Sequence, residues 1–105
     1  MSYEILVGLH VLDDYTYEKY RIAMKPILSD YQGYFCYDFK VSDVLISQAL
    51  TPDSHCDINR VFTLNFISKE KMDNFFSDPQ YLLVKEEFFV KSVGSATILA
   101  SYEKK

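Results

Sequence analysis

Tyr3-Glu4-Ile5-Leu6-Val7-Gly8-Leu9-His10-Val11-Leu12 decides the fold. Read with a period of two, Tyr3, Ile5, Val7, Leu9 and Val11 form one side, and Leu6 and Leu12 with Gly8 and His10 form the other. Apolar residues in both sets mark a strand covered on both faces. Asp13-Asp14 then supplies an N-cap and an acidic first turn for a helix. Its apolar residues Tyr17, Tyr20, Met24, Ile27, Leu28 and Tyr31 recur at steps of three and four, while Glu18, Lys19, Arg21, Lys25 and Asp30 take the opposite side. Pro26 lacks an amide donor and crowds the carbonyl of Ile22, which predicts a kink or a restarted last turn. Gly33 is the expected stop.

Working outward, residues 34–44 alternate between Phe35, Tyr37, Phe39, Val41 and the mixed set Cys36, Asp38, Lys40, Ser42, a half-polar strand. Residues 51–57 carry turn formers and read as a loop. Residues 60–67 form a third strand, with Phe62, Leu64 and Phe66 opposite Val61, Thr63, Asn65 and Ile67. Ser68 caps a short helix that turns Met72, Phe75 and Phe76 inward. Asp78-Pro79 opens a further helical segment through Val90, with Tyr81, Val84 and Phe88 on its apolar side and Gly94 as its end. Residues 96–102 are the last strand. Strand, helix, strand, strand, helix, strand is the order of an α+β, ferredoxin-like split βαβ domain. The expectation is one domain over residues 1–105: a four-stranded antiparallel sheet with helices on one face.

The 105 residues carry 11 Lys and Arg against 15 Asp and Glu, a formal charge of −4, with 49% hydrophobic residues. No basic cluster longer than Lys104-Lys105 exists, which argues against nucleic acid as a partner. No run approaches the roughly 18 apolar residues of a membrane span. Met1-Ser2-Tyr3-Glu4 lacks a basic leader, so the expected location is the cytoplasm, with Cys36 and Cys56 as reduced thiols.

Two helices cover one face of such a sheet and leave the other open, yet strands one and three read as apolar in both directions. A broad bare apolar face is rare on a soluble monomer. The expected cover is a second copy, giving a barrel-like homodimer with an internal cavity. The competing arrangement folds residues 45–58, or 78–92, over that face within one chain.

Tyr17-x-x-Tyr20-Arg21, Pro26, Gly33-Tyr34-Phe35, the run from Arg60 to Ser68, and Phe75-Phe76-Ser77-Asp78-Pro79-Gln80-Tyr81 together resemble domain-of-unknown-function family 1330 of the dimeric α+β barrel superfamily. The resemblance covers nearly the whole chain and is most specific from Arg60 to Tyr81. It implies a homodimer of uncharacterised activity, related at superfamily distance to small monooxygenases and haem-handling proteins.

Six residues stand out as candidate ligand-binding positions: His10, Tyr20, Asp38, Arg60, Thr63 and Asn65. His10 lies late on its strand, on the side where Gly8 leaves room, placed either as a base or ligand in the dimer cavity or as a strand-end residue bonded to backbone. Asp38 shares a face with Lys40, at a pocket mouth or along a solvated edge. Arg60 offers a planar fork for a carboxylate or for an inter-subunit ion pair. Thr63 and Asn65 are polar positions in an apolar strand and so need partners. Tyr20 belongs either to the core or to a cavity wall.

His55-Cys56-Asp57 contains ligand-type side chains, but adjacent residues seldom converge on one ion and no metal spacing supports the run. No metal and no cofactor is expected, since phosphate loops, dinucleotide fingerprints and nucleophile motifs are all missing from the sequence. The expected function is small-molecule binding with weak activity on a carbonyl-bearing or aromatic metabolite, in the pocket between each sheet and its helices or in the barrel shared by two subunits. The alternatives are a cofactor-independent or haem-dependent monooxygenase using His10, and an interaction module whose open face docks another protein.

Overall fold

A computed structural model describes residues 1–46 and 57–105. The elements run β1 (Ser2–Val11), α1 (Asp14–Asp30), β2 (Gly33–Lys40), β3 (Arg60–Phe66), α2 (Lys69–Phe76) and α3 (Pro79–Val84). A π-helical turn (Lys85–Phe89) and α4 (Val90–Ser92) lead into β4 (Val93–Lys104). The sheet order is β2-β3-β1-β4, and each neighbouring pair is antiparallel. This is the ferredoxin-like α+β arrangement expected from the order of elements. Among the described residues, no helix is long and apolar enough to cross a membrane.

Local chemistry sets the boundaries. Asp13 caps α1 by accepting from the amides of Tyr15 at 3.1 Å and Thr16 at 3.2 Å. The helix runs through Pro26 to Asp30 as one element rather than restarting. Its end falls before Gly33, and the left-handed backbone position is taken by Gln32 (φ 57°). Gly33 matters instead for closeness. A Cβ there would come within 2.6 Å of Leu28 Cδ1 and 2.7 Å of Phe66 Cε1, where helix and sheet converge. Gly94 lies inside β4 rather than ending a helix, because Leu12 already closes the preceding turn by donating to the Ser92 carbonyl at 2.7 Å.

β2 stops at Lys40, four residues before the expected end, because its partner β3 begins at Arg60, opposite Lys40. A bulge between Phe35 and Tyr37 also breaks the expected alternation. Phe35 faces the helices opposite Leu64, whereas Tyr37 and Phe39 turn to the other face, opposite Thr63 and Val61. The amide of Tyr37 donates to Thr63 Oγ1 at 3.1 Å, which pins the bulge.

The core lies between the sheet and α1–α3. Ile5, Val7 and Leu9 of β1 and Phe62, Leu64 and Phe66 of β3 meet Tyr17, Tyr20, Met24 and Leu28 of α1. Phe66 and Phe75 are fully buried, 5.7 Å apart between ring centroids. Each buried aromatic of this kind contributes about 1.5–3 kcal/mol.

The helix-free face differs from the expectation. Its central positions are Glu4, Leu6, Gly8 and His10 of β1 with Val61, Thr63 and Asn65 of β3, a mixed set in which Glu4, Thr63 and Asn65 are buried polar residues. Exposed aromatic side chains, Tyr34, Tyr37, Phe39 and Tyr102, stand on the flanking strands. Residues 57–59 run over one end of this face. The Asn59 amide donates to the Leu9 carbonyl at 2.9 Å, and Ile58 Cδ1 would lie 2.6 Å from a Cβ on Gly8. Part of the cover therefore comes from the same chain. Segment 78–92 does not contribute, since its helices pack on the core side.

Candidate functional site

Between sheet and helices lies a cavity of about 350 Å³, within the range of small-molecule sites. Its floor is built by alternate residues of the strands: Ile5, Val7 and Leu9 from β1, Phe62 and Leu64 from β3, Phe35 from β2, and Ala96 and Ile98 from β4. Its roof comes from Tyr20 and Met24 of α1, Phe76 of α2, Tyr81 of α3, and Lys85 and Phe89 of the π turn. Among these only Tyr20, Tyr81 and Lys85 carry polar side-chain atoms.

The hydroxyls of Tyr20 and Tyr81 lie 2.9 Å apart and share a hydrogen bond, although the residues are 61 positions apart in sequence. Whichever hydroxyl donates, the other keeps its own proton to offer. Burial, followed by the neighbouring phenol of Tyr81, pushes the Tyr20 pKa up, and burial does the same for Tyr81. The pair is therefore a neutral hydrogen-bond donor set in apolar walls, suited to a carbonyl or carboxyl oxygen rather than to proton abstraction.

The π turn shapes the roof. The Val90 amide donates to the Lys85 carbonyl, a bond spanning five residues in place of the usual four. Tyr81, Lys85 and Phe89 all border the cavity, and the Phe89 ring sits 5.0 Å from that of Tyr20. Such insertions in a helix recur at functional sites.

Of the six candidate ligand-binding residues, all among the described residues, Tyr20 alone lines this cavity. His10 lies on the other face, where its Nδ1 is 2.6 Å from the carbonyl oxygen of Asp57. A carbonyl only accepts, so Nδ1 donates in this bond to the backbone.

Asp38 and Arg60 occupy the helix side near the end of the sheet and bind each other. Arg60 donates from Nε to Oδ1 at 2.8 Å and from its terminal nitrogen to Oδ2 at 3.0 Å. Arg21 adds an ion pair to Asp38 at 2.9 Å. The Arg60 fork thus pairs with Asp38 within the chain. Burial pushes the Asp38 carboxyl up, but the hydrogen bond from Arg60 and the charges of Arg21 and Arg60 outweigh it and hold the group below its ordinary range. The Arg60 guanidinium also stacks 5.1 Å from the Tyr17 ring centroid. Burial, then the negative charge of Asp38, raises the Tyr17 phenol to about 12.

Thr63 and Asn65 belong to the helix-free face. Asn65 donates to Ser2 Oγ at 3.0 Å and to Glu4 Oε1 at 3.4 Å. Glu4, only 4% exposed, is the centre of this group. Cys36 and Lys104 each approach its Oε1 to 3.3 Å, and the Tyr102 hydroxyl donates to its Oε2. Burial and the bond to Glu4 push the Cys36 thiol up, so it stays protonated. Cys56 and His55 lie outside the described residues.

Sequence reasoning missed Glu4, Tyr81 and Lys85 as site residues. Glu4 had a visible signal, a charge inside an otherwise apolar strand. Tyr81 reads as an ordinary apolar position, and nothing local marks the π turn.

No family model matches the chain, and no curated protein matches it either. Solved structures do. A protein of unknown function from Rhodopseudomonas palustris superimposes with a TM-score of 0.78 at 12% identity, over 99% of this chain and 82% of that one. A dimeric ferredoxin-like protein of unknown function from Thermobifida fusca gives 0.62 at 4% identity, over 99% and 92%. SnoaB, a cofactor-independent oxygenase from Streptomyces nogalater, gives 0.57 at 8% identity, over 99% and 91%. At these identities the likeness is one of fold, and the fold is the ferredoxin-like one these proteins share.

Proposed function

We propose that this chain, acting as one domain, is a small-molecule-binding homodimer whose ligand lies in the cavity between sheet and helices. The carrying observation is the buried Tyr20–Tyr81 hydroxyl pair inside otherwise apolar walls. A neutral donor pair of this kind orients a carbonyl-bearing or aromatic metabolite and polarises its oxygen, which supports at most weak activity. The resemblance of residues 60–81 to family 1330 supports the same reading, as a homodimer without assigned chemistry.

Dimerisation is supported by the exposed Tyr34, Tyr37, Phe39 and Tyr102 around the polar centre of the open face, and by a similar structure described as dimeric. Aromatic residues around a satisfied polar network suit a protein interface. Sedimentation at micromolar concentration should report about twice 12.3 kDa; a lone protomer there removes the homodimer and leaves the face to a different protein.

The ligand is tested by thermal shift against a panel of aromatic and carbonyl compounds. A bound compound raises the melting temperature by mass action, and Tyr20→Phe and Tyr81→Phe should each reduce the shift. No stabilisation by any compound counts against the cavity as a ligand site. A monooxygenase reading has the fold likeness to SnoaB behind it; it would use His10 on the helix-free face, inside the chamber between two subunits, and loss of oxygen consumption in His10→Ala would test it.

A further inference from the structure

We infer that the cavity takes an amphiphilic monocarboxylate, with its apolar chain between sheet and helices and its carboxylate held by Lys85 beside the tyrosine pair; this rests on the cavity being a ligand site. The polar groups of the lining are gathered at one place. Tyr20 and Tyr81 share a hydrogen bond, and the Lys85 amide donates to the Tyr81 carbonyl, which sets Lys85 one helical turn from Tyr81. Residues at that spacing are surface neighbours, about 5–6 Å apart at Cβ. A ligand therefore meets a single polar end and a long apolar remainder.

The charge at that end is uncommitted. Lys85 borders the cavity and is exposed, and among the described residues no carboxylate pairs with it. Glu86 and Glu87 follow it in sequence but do not line the cavity. Ala96 and Ile98 are the other exposed lining residues, so with Lys85 they mark where the cavity opens.

The donors present match a carboxylate better than a phosphate. A phosphate needs several N–H groups, commonly those of a helix start, but the first free amides of α3, at Gln80 and Tyr81, are already bound to Asp78 Oδ1 at 2.8 and 3.0 Å. One ammonium and one phenolic proton remain, a donor for each carboxylate oxygen.

The test is calorimetric titration with hexanoate, octanoate, decanoate, octan-1-ol and octylammonium, using the whole chain and the variants Lys85→Met, Lys85→Glu and Ala96→Trp. Lys85 and Ala96 are exposed, so these variants should keep the fold, checked by their melting curves. Octanoate should bind at least about tenfold more tightly than octan-1-ol, a preference that Lys85→Met erases and Lys85→Glu transfers to octylammonium. Affinity should rise about fourfold per methylene until the cavity is full. Ala96→Trp should close the opening and abolish binding.

Equal binding of octanoate and octan-1-ol, indifferent to Lys85→Glu but blocked by Ala96→Trp, overturns the carboxylate inference and leaves the ligand cavity standing. Octanoate binding that Ala96→Trp leaves unchanged lies elsewhere and overturns it too. Binding of none of these compounds removes this inference; if the aromatic and carbonyl panel also fails, the cavity reading goes with it.

Discussion

Glu4 and Tyr102 stand directly opposite each other across the β1–β4 pair, and the Tyr102 hydroxyl donates to the Glu4 carboxylate. That bond joins the edge strand to a carboxylate that also receives Asn65, Cys36 and Lys104. Burial raises the Glu4 pKa, but the four donors together hold it below its ordinary 4.5. The folded value lies below the unfolded one, so the group stabilises the fold above about pH 4.5 and loses that contribution as pH falls through the depressed value. Glu4→Gln should lower stability at pH 7 by about 1 kcal/mol, the low end for bonds to a charged group because the Lys104 end is open to solvent. Urea unfolding at pH 7 and pH 3.5 checks both parts: the gap between variant and parent should narrow at the lower pH, and a constant gap would place the effect in packing rather than charge.

A second carboxylate should behave alike but cost more. Asp38 sits between Arg60 and Arg21 with its side chain 15% exposed. Asp38→Asn removes the carboxylate that bridges the two guanidinium groups and leaves Arg21 only the more distant, exposed Glu18, 3.8 Å away. The expected loss at pH 7 is about 2 kcal/mol, below the 3–5 of fully buried pairs because this group keeps some water. Its pKa is depressed below 3.8, so the parent's advantage is present above about pH 3.8 and fades as pH falls through the depressed value. A change of midpoint under about 0.3 kcal/mol would show the cluster to be solvent-screened.

Much of this fold was legible because long-range order followed local pattern. The Asp13, Ser68 and Asp78 caps act where the sequence put them, and the period of two separated the two faces of β1 and β3 without saying which of them meets the helices. What failed was whatever depends on register. The β2 bulge turned Tyr37 to the open face and Asp38 to the helices, and no residue type announces a bulge in a strand of aromatics. The site was legible to the same extent. Tyr20 was found through helical spacing, but its partner Tyr81 meets it only by tertiary packing. The open face was read as apolar from Leu6 and Leu12, whereas Glu4 and its donors occupy its centre.

Two glycines separate a rigid approach from a yielding one. Gly33→Ala would press a methyl against Leu28 and the fully buried Phe66 ring, both near 2.6–2.7 Å. Overpacking of this sort costs about 1–3 kcal/mol. For Gly8→Ala the nearest atoms all belong to the side chain of Ile58, at 2.6 Å to its terminal methyl, which can swing aside on a segment without helix or strand. Its cost should stay under about 1 kcal/mol. Thermal denaturation of both variants decides the order, and equal losses would mean that residues 57–59 are seated as firmly as the core.

The tyrosine pair makes the last prediction, because its bond is worth more as a pair than either hydroxyl alone. Tyr20→Phe removes one partner and leaves the Tyr81 hydroxyl buried without it, and Tyr81→Phe does the reverse. Each single change should cost about 1–2 kcal/mol, the penalty of an unpaired buried hydroxyl. The double variant removes both polar groups and keeps both rings, including the packing of Tyr20 on Phe89 and of Tyr81 on Phe75 at 5.0 and 4.4 Å. Its loss should fall short of the sum by about 1 kcal/mol, the coupling that a double-mutant cycle reads. Strict additivity in urea unfolding would mean that the two hydroxyls do not bond in solution, and would withdraw the donor pair on which the ligand reading stands.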